Sequence, residues 1–133
     1  MPICLISTGY KVYTKDKYKR FFESIERQNY SNYNVVVMDD NSPDNSALHY
    51  YEYLKNTTFR LKNRIKIVKT LQRMGALANM YIGVKKYCPS NSIVVNVDSD
   101  DALIGAQTFN ILNAIYQNPN TWYVYTRYLW QKD

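Results

Sequence analysis

The sequence predicts an α/β protein: a mostly parallel, doubly wound sheet of Rossmann-like type with helices on both faces. Short, almost uniformly apolar runs alternate with segments of helical period, and the runs end in polar or acidic residues. Runs this apolar suit strands buried on both faces. Strands separated by helices need crossover connections, which leave neighbouring strands parallel.

Each element follows from its pattern. Pro2 to Ser7 is the first strand. Tyr18, Phe21, Phe22 and Ile25 recur at i, i+3, i+4 and i+7, the stripe of a helix over about 15 to 29. Asn34 to Met38 is a valine-rich second strand ending in Asp39-Asp40. The cluster Asn41 to Ser46 is a turn that also offers caps to a helix near 44 to 56, with Leu48, Tyr51 and Leu54 expected inward. Ile65 to Val68 is a third strand. It leads through Thr70 to Gly75 into a helix whose expected stripe is Leu77, Tyr81, Val84 and Cys88, stopped by Pro89. Ile93 to Val97 is the fourth strand. A helix near 105 to 117 carries Phe109, Leu112 and Ile115, and a last strand is expected around Trp122 to Tyr128.

Composition narrows the class. The 133 residues fit one domain with a real core, 46% apolar and 21% charged, which excludes disorder. Net charge is +6, from 17 basic and 11 acidic residues, and mildly favours an anionic ligand. The basic residues fall in separate groups, Lys11 to Arg20 and Lys55 to Lys69, as on solvated faces. The 14 tyrosines are spread throughout and lack the basic platform of a nucleic-acid binder, so no nucleic-acid partner is expected. Two cysteines, Cys4 and Cys88, make no disulfide framework and read as free thiols. No apolar run reaches the roughly 18 residues of a membrane span, and no signal pattern opens the chain. A cytoplasmic location is therefore expected. Asn29-Tyr30-Ser31 and Asn56-Thr57-Thr58 match the glycosylation acceptor pattern, as an Asn-rich chain does by chance.

The chemistry gathers at the strand ends. Val97-Asp98-Ser99-Asp100-Asp101 sets three carboxylates within four residues after an apolar strand. Two like charges 4 Å apart repel by roughly 4 kcal/mol at an effective dielectric near 20, so such a cluster needs a cation, a basic partner or a proton. Capping of a following helix is the alternative. Oxygen-only ligands suit Mg²⁺ or Mn²⁺, ions that share substrate phosphates, so a metal bridging a diphosphate is the leading expectation. In doubly wound sheets ligands bind beyond the carboxyl ends of the strands. Ser7 to Tyr10, Asp39-Asp40, Thr70 to Gly75 and Asp98 to Asp101 all lie there. A carboxylate at Asp39-Asp40 can accept from a pyrimidine imide, and Tyr10 can stack on a base. There is no Gly-rich dinucleotide fingerprint, no P-loop, and no zinc partner for His49, which reads as a surface or half-buried helix residue.

The order Thr8-Gly9-Tyr10, Val35 to Ser42 with Asp39-Asp40, Arg73-Met74-Gly75-Ala76-Leu77-Ala78-Asn79 and Val97 to Asp101 resembles the donor-binding half of a family 2 glycosyltransferase of the GT-A fold. The resemblance covers about residues 2 to 130. It implies a hexosyltransferase that moves a sugar, with inversion, from a nucleoside diphosphate donor, often a UDP-sugar, to a sugar, protein or lipid acceptor. On that similarity Thr8 and Tyr10 line the nucleoside pocket and Asp40 contacts the base. Arg73 approaches the diphosphate, and Gly75 serves the turn into the helix, where bulk is unwelcome. Asp98 and Asp100 take the D-x-D positions, Asp100 as the metal ligand and Asp98 as a second ligand nearer the ribose or sugar. Asp101 caps the following helix. Lys11 stands where many members carry Asn.

Family members continue for a further stretch that supplies the acceptor site and a carboxylate base. Residues 1–133 are therefore expected to be a single nucleotide-sugar-binding domain, incomplete at its C-terminus, with no base to name. A non-catalytic nucleotide-sugar or metal-binding module, or an inactive fragment, is the competing reading. A phosphoacceptor domain would need an acidic pair after the first strand, where Ser7-Thr8-Gly9-Tyr10 stands.

Overall fold

A computed structural model describes residues 1–13, 16–57 and 60–130. Lys15, the expected start of the first helix, and Thr58 of the second acceptor triplet lie outside them. Strand β1 (Ile3–Gly9) is followed by α1 (Tyr18–Glu26), β2 (Tyr33–Asp39), α2 (Ser46–Lys55), β3 (Ile65–Lys69), α3 (Ala76–Tyr87), β4 (Ile93–Asn96) and α4 (Thr108–Ile115). The four strands form one sheet in the order β3-β2-β1-β4, and every pairing is parallel. The expected doubly wound sheet is observed.

Burial explains the order. Strands β1 and β2 are buried nearly throughout and take the centre. Ile3 aligns with Tyr33 on one side and Ile93 on the other, which sets the register of both ladders. On one face Phe21, Phe22 and Ile25 of α1, Tyr50 and Leu54 of α2, and Phe109 of α4 pack against Ile3, Leu5, Val35 and Val37. On the other, α3 covers Cys4, Ile6, Val36 and Met38 with Met80, Val84 and Tyr87. No described helix is long and apolar enough to cross a membrane.

Four expectations need correction. In α2, Leu48 and Tyr51 are exposed; Ala47, Tyr50 and Leu54 face inward, because the helix meets the sheet along the neighbouring stripe. In α3, Leu77 and Tyr81 are exposed, since the helix turns Asn79 and Gly83 to the sheet. A Cβ on Gly83 would fall inside contact distance of Ile6 Cδ1 and 3.2 Å from Met38 Cγ, so this close approach decides which face lies down. Ile115 of α4 is likewise partly exposed, and only Phe109 and Leu112 are buried. The stretch from Trp122 to Tyr128 forms no ladder and stands open to solvent, since strand-forming residues make a strand only beside a partner edge.

The cysteines are the clearest difference. Cys4 and Cys88 are joined in a disulfide, not free, with Cα atoms 5.6 Å apart. It ties β1 to the C-cap of α3.

Candidate functional site

The carboxyl ends of the strands meet as expected. The Asp40 amide donates to the Gly9 carbonyl at 2.9 Å, the Thr70 amide to the Asp39 carbonyl at 3.0 Å, and the Ser99 amide to the Thr8 carbonyl at 3.4 Å. Ser99, buried between two acids, forms the join between β1 and the acidic loop. Its hydroxyl lies 3.3 Å from the Thr8 carbonyl and 2.8 Å from Ser7 Oγ. With the Ser99 proton directed at Thr8, Ser7 donates in the hydroxyl pair. Gly9 permits the approach, since a Cβ there would come within 2.9 Å of Ser99 Oγ. Thr8 is thus buried at the strand end, its carbonyl holding the loop.

Asp39 and Asp40 have separate tasks. Asp39 is buried and closes the turn after β2, accepting from Ser42 Oγ at 2.5 Å and from the Ser42 amide at 3.1 Å. Burial pushes its carboxyl up, partly offset by those two bonds. Asp40 reaches across to α3. Its Oδ1 accepts from the Met74 amide at 2.7 Å and Asn79 Nδ2 at 2.8 Å, and its Oδ2 from the Gly75 amide at 3.0 Å. Burial pushes the Asp40 carboxyl up, but the bonds from Met74, Asn79 and Gly75, with the Arg73 charge, outweigh it and leave the carboxyl below its ordinary value. One lone pair remains, on Oδ2, where Arg73 Nε stands 3.8 Å away.

Arg73 is exposed, and its guanidinium carbon lies 3.9 Å from the centroid of the Tyr10 ring. Tyr10, Arg73 and Asp40 therefore form one contiguous group. Gly75 turns the chain into α3 at φ +89°, ψ 160°, a conformation reserved for glycine. A Cβ there would meet nothing within 4 Å, so conformation rather than space demands the glycine, correcting the expectation that bulk is unwelcome.

Asp98, Asp100 and Asp101 form the second group, each offering a carboxylate oxygen within 4.8 Å of the others. Among the described residues none of the three is in a salt bridge. The Asp98 carboxyl is raised above its ordinary value by partial desolvation, then by the charges of Asp101 and Asp100. Asp101 does not cap a helix: its amide donates to the Asp98 carbonyl at 3.0 Å, and α4 begins only at Thr108. Three uncompensated oxygen donors in one turn fit a hard divalent cation.

The profile of the family described as Glycosyl transferase family 2 matches residues 12–133. The chain belongs to that family. The match begins just beyond Thr8 and Tyr10 and takes in Asp40, Arg73, Asp98 and Asp100.

No curated protein sequence matches the chain significantly. Among solved structures, S. aureus TarS residues 1–349 superposes with a TM-score of 0.70 at 23% identity, over 88% of this chain and 32% of that one. The same TarS segment in complex with UDP-GlcNAc gives 0.70 at 22% identity, over 88% and 31%. The mannosyltransferase PcManGT from Pyrobaculum calidifontis, in complex with GDP-Man and Mn²⁺, gives 0.68 at 18% identity, over 80% and 30%. These likenesses establish the GT-A-type fold, and the chain spans about a third of the length of these three structures.

Asn79 and Ser99 are the residues that sequence reasoning left without a task. Asn79 had a signal: a polar side chain within the predominantly apolar run 76–84, four residues after a glycine. Ser99 had none beyond its place between two acids.

Proposed function

We propose that this glycosyltransferase chain is a donor-binding unit that takes a nucleoside diphosphate sugar, with a uridine nucleotide the first expectation, and supports its transfer with inversion to an acceptor. The observation that carries the reading is the carboxylate trio Asp98, Asp100 and Asp101, without a salt bridge among the described residues, on the strand edge that also presents Tyr10, Arg73 and Asp40. Asp100 and Asp98 would hold Mn²⁺ or Mg²⁺, with Asp101 close enough to share the charge. Such an ion, when bound, neutralises charge on a departing diphosphate.

The chain's own groups supply the rest. Thr8 and Tyr10 line the nucleoside pocket, and Tyr10 offers its ring to the base. That face now carries Arg73, and the one free lone pair of Asp40 faces Arg73 as well. A base arriving at Tyr10 and Asp40 therefore displaces Arg73. The released guanidinium is then available to the diphosphate, for which its fork of donors is suited. Asp40 keeps its three internal bonds throughout and accepts an imide N–H with the fourth position.

Calorimetric titration with UDP, with and without Mn²⁺, tests the reading on the wild type, Asp100→Ala and Arg73→Ala. Mn²⁺ should tighten UDP binding at least tenfold in the wild type and not in Asp100→Ala. Arg73→Ala should weaken UDP more than uridine. Equal UDP affinity in every arm overturns the metal bridge, and equal losses for UDP and uridine overturn the assignment of Arg73.

A further inference from the structure

Helix α3 is the one described helix on its face of the sheet, seated there through the close approach of Gly83 to Ile6 and Met38. The core it covers contains four buried residues, Cys4, Ile6, Val36 and Met38, and its Leu77 and Tyr81 remain exposed. Beyond that packing, it is bonded at both ends. At the N-terminal end the Asp40 carboxylate grips the Met74 and Gly75 amides and the Asn79 side chain. At the C-terminal end Cys88 is bonded to Cys4 of β1. From Asn79 to Cys88 about 14 Å of helix separates the two attachments, at 1.5 Å per residue.

We propose that the Cys4–Cys88 bond is a redox-controlled pin, and that opening it frees α3 from β1 and loosens the Asp40 clamp at the opposite end. Cys4 is fully buried and Cys88 only half-buried, so a thiol reductant reaches the Cys88 sulfur first. A thiolate of a small dithiol attacks Cys88 Sγ, the bond to Cys4 breaks, and Cys4 leaves as a thiolate that takes a proton. The second thiol of the reductant then attacks its own sulfur in the mixed disulfide. Cys88 leaves as a thiol and the reductant departs as a cyclic disulfide. Two electrons and two protons have passed to the protein, and a disulfide oxidant reverses both steps.

The reduced state is sound at β1, because a free thiol tolerates burial as a small apolar group. Reduction therefore leaves the sheet in place and removes only the pin. The loop that carries Arg73, Met74 and Gly75 is continuous with α3, so thiol state reaches the strand-end edge through that helix.

Native-state hydrogen exchange on the whole chain, with and without a dithiol reductant, tests this without any nucleotide. The expected result is that the amides of residues 80–88 and of Met74 and Gly75 exchange at least tenfold faster after reduction, and faster than those of Val35 to Val37. In Cys4→Ala/Cys88→Ala the same amides should be fast at the outset and indifferent to reductant. Should that variant not fold, the wild-type comparison alone decides. Exchange of α3 in step with β2 in both redox states overturns the proposal. So does a disulfide that resists the reductant until the protein is unfolded, or reduction that unfolds the entire sheet.

Discussion

Asp40 Oδ1 and Asn79 Nδ2 meet at 2.8 Å across 39 residues of sequence, both buried, and this bond anchors the first turn of α3 to the end of β2. A buried carboxylate with three donors, one of them an adjoining side chain, fixes the orientation of everything attached to it. Arg73, the residue before two of those donors, is held over Tyr10 as a result.

Asp40→Asn should therefore cost about 2 kcal/mol in urea unfolding, the scale of a hydrogen bond to a charged group. The substitution also turns an amide NH₂ toward one of the backbone donors. Because the folded-state carboxyl is lowered, its stabilisation is fully present above the ordinary aspartate value of about 4 and is lost as pH falls through the lowered one. Wild-type stability should fall more steeply than that of Asp40→Asn below about pH 4.

Proton and metal compete at Asp98. Its raised carboxyl retains a proton at a pH where an ordinary aspartate has lost it, so Mn²⁺ affinity should begin to decline above that ordinary range as pH falls. Removing one of the repelling charges with Asp101→Asn should move the decline to lower pH. Electron paramagnetic titration of free Mn²⁺ from pH 7 downward measures both.

Two glycines should fail for different reasons. Gly75→Ala places a side chain at φ +89° and should cost about 1–3 kcal/mol whatever surrounds it. Gly83→Ala presses a methyl group on Ile6 and Met38 and should cost about 1–3 kcal/mol through overpacking. Ile6→Val, which removes the contacted methyl, should partly rescue Gly83→Ala and leave Gly75→Ala unrelieved. Urea unfolding of the single and double variants separates the two.

The disulfide spans 84 residues of sequence, and Cys4→Ala/Cys88→Ala should lose about 4.5 kcal/mol by the loop-closure estimate. Thermal unfolding of the variant and of reduced wild type should agree. A smaller loss for the reduced wild type would show that the two thiols retain packing the alanines do not.

Much of this was legible in the residues, and what was not has physical causes. The strands could be read because β1 and β2 are buried on both sides and must be apolar throughout. Their polar ends then located the candidate edge. Helix faces were harder: α2 and α3 carry apolar residues on more than one stripe, and only contact with the sheet chooses between Leu77-Tyr81 and Asn79-Gly83. Pairing of Cys4 with Cys88 depends on a Cα separation that spacing in sequence does not contain. The aromatic stretch after Thr121 has the propensity of a strand but no ladder, and propensity alone cannot supply one.

The strand order has a consequence for how the chain comes together. β1 is made before β2, β3 and β4, yet it sits between β2 and β4, and its Ile3 aligns with Ile93 on the far side. On a ribosome adding about 5–20 residues per second, that flank of β1 waits roughly 5 to 18 s for its neighbour. Throughout that interval one side of an apolar strand lacks its ladder, so the sheet cannot close until β4 has been made.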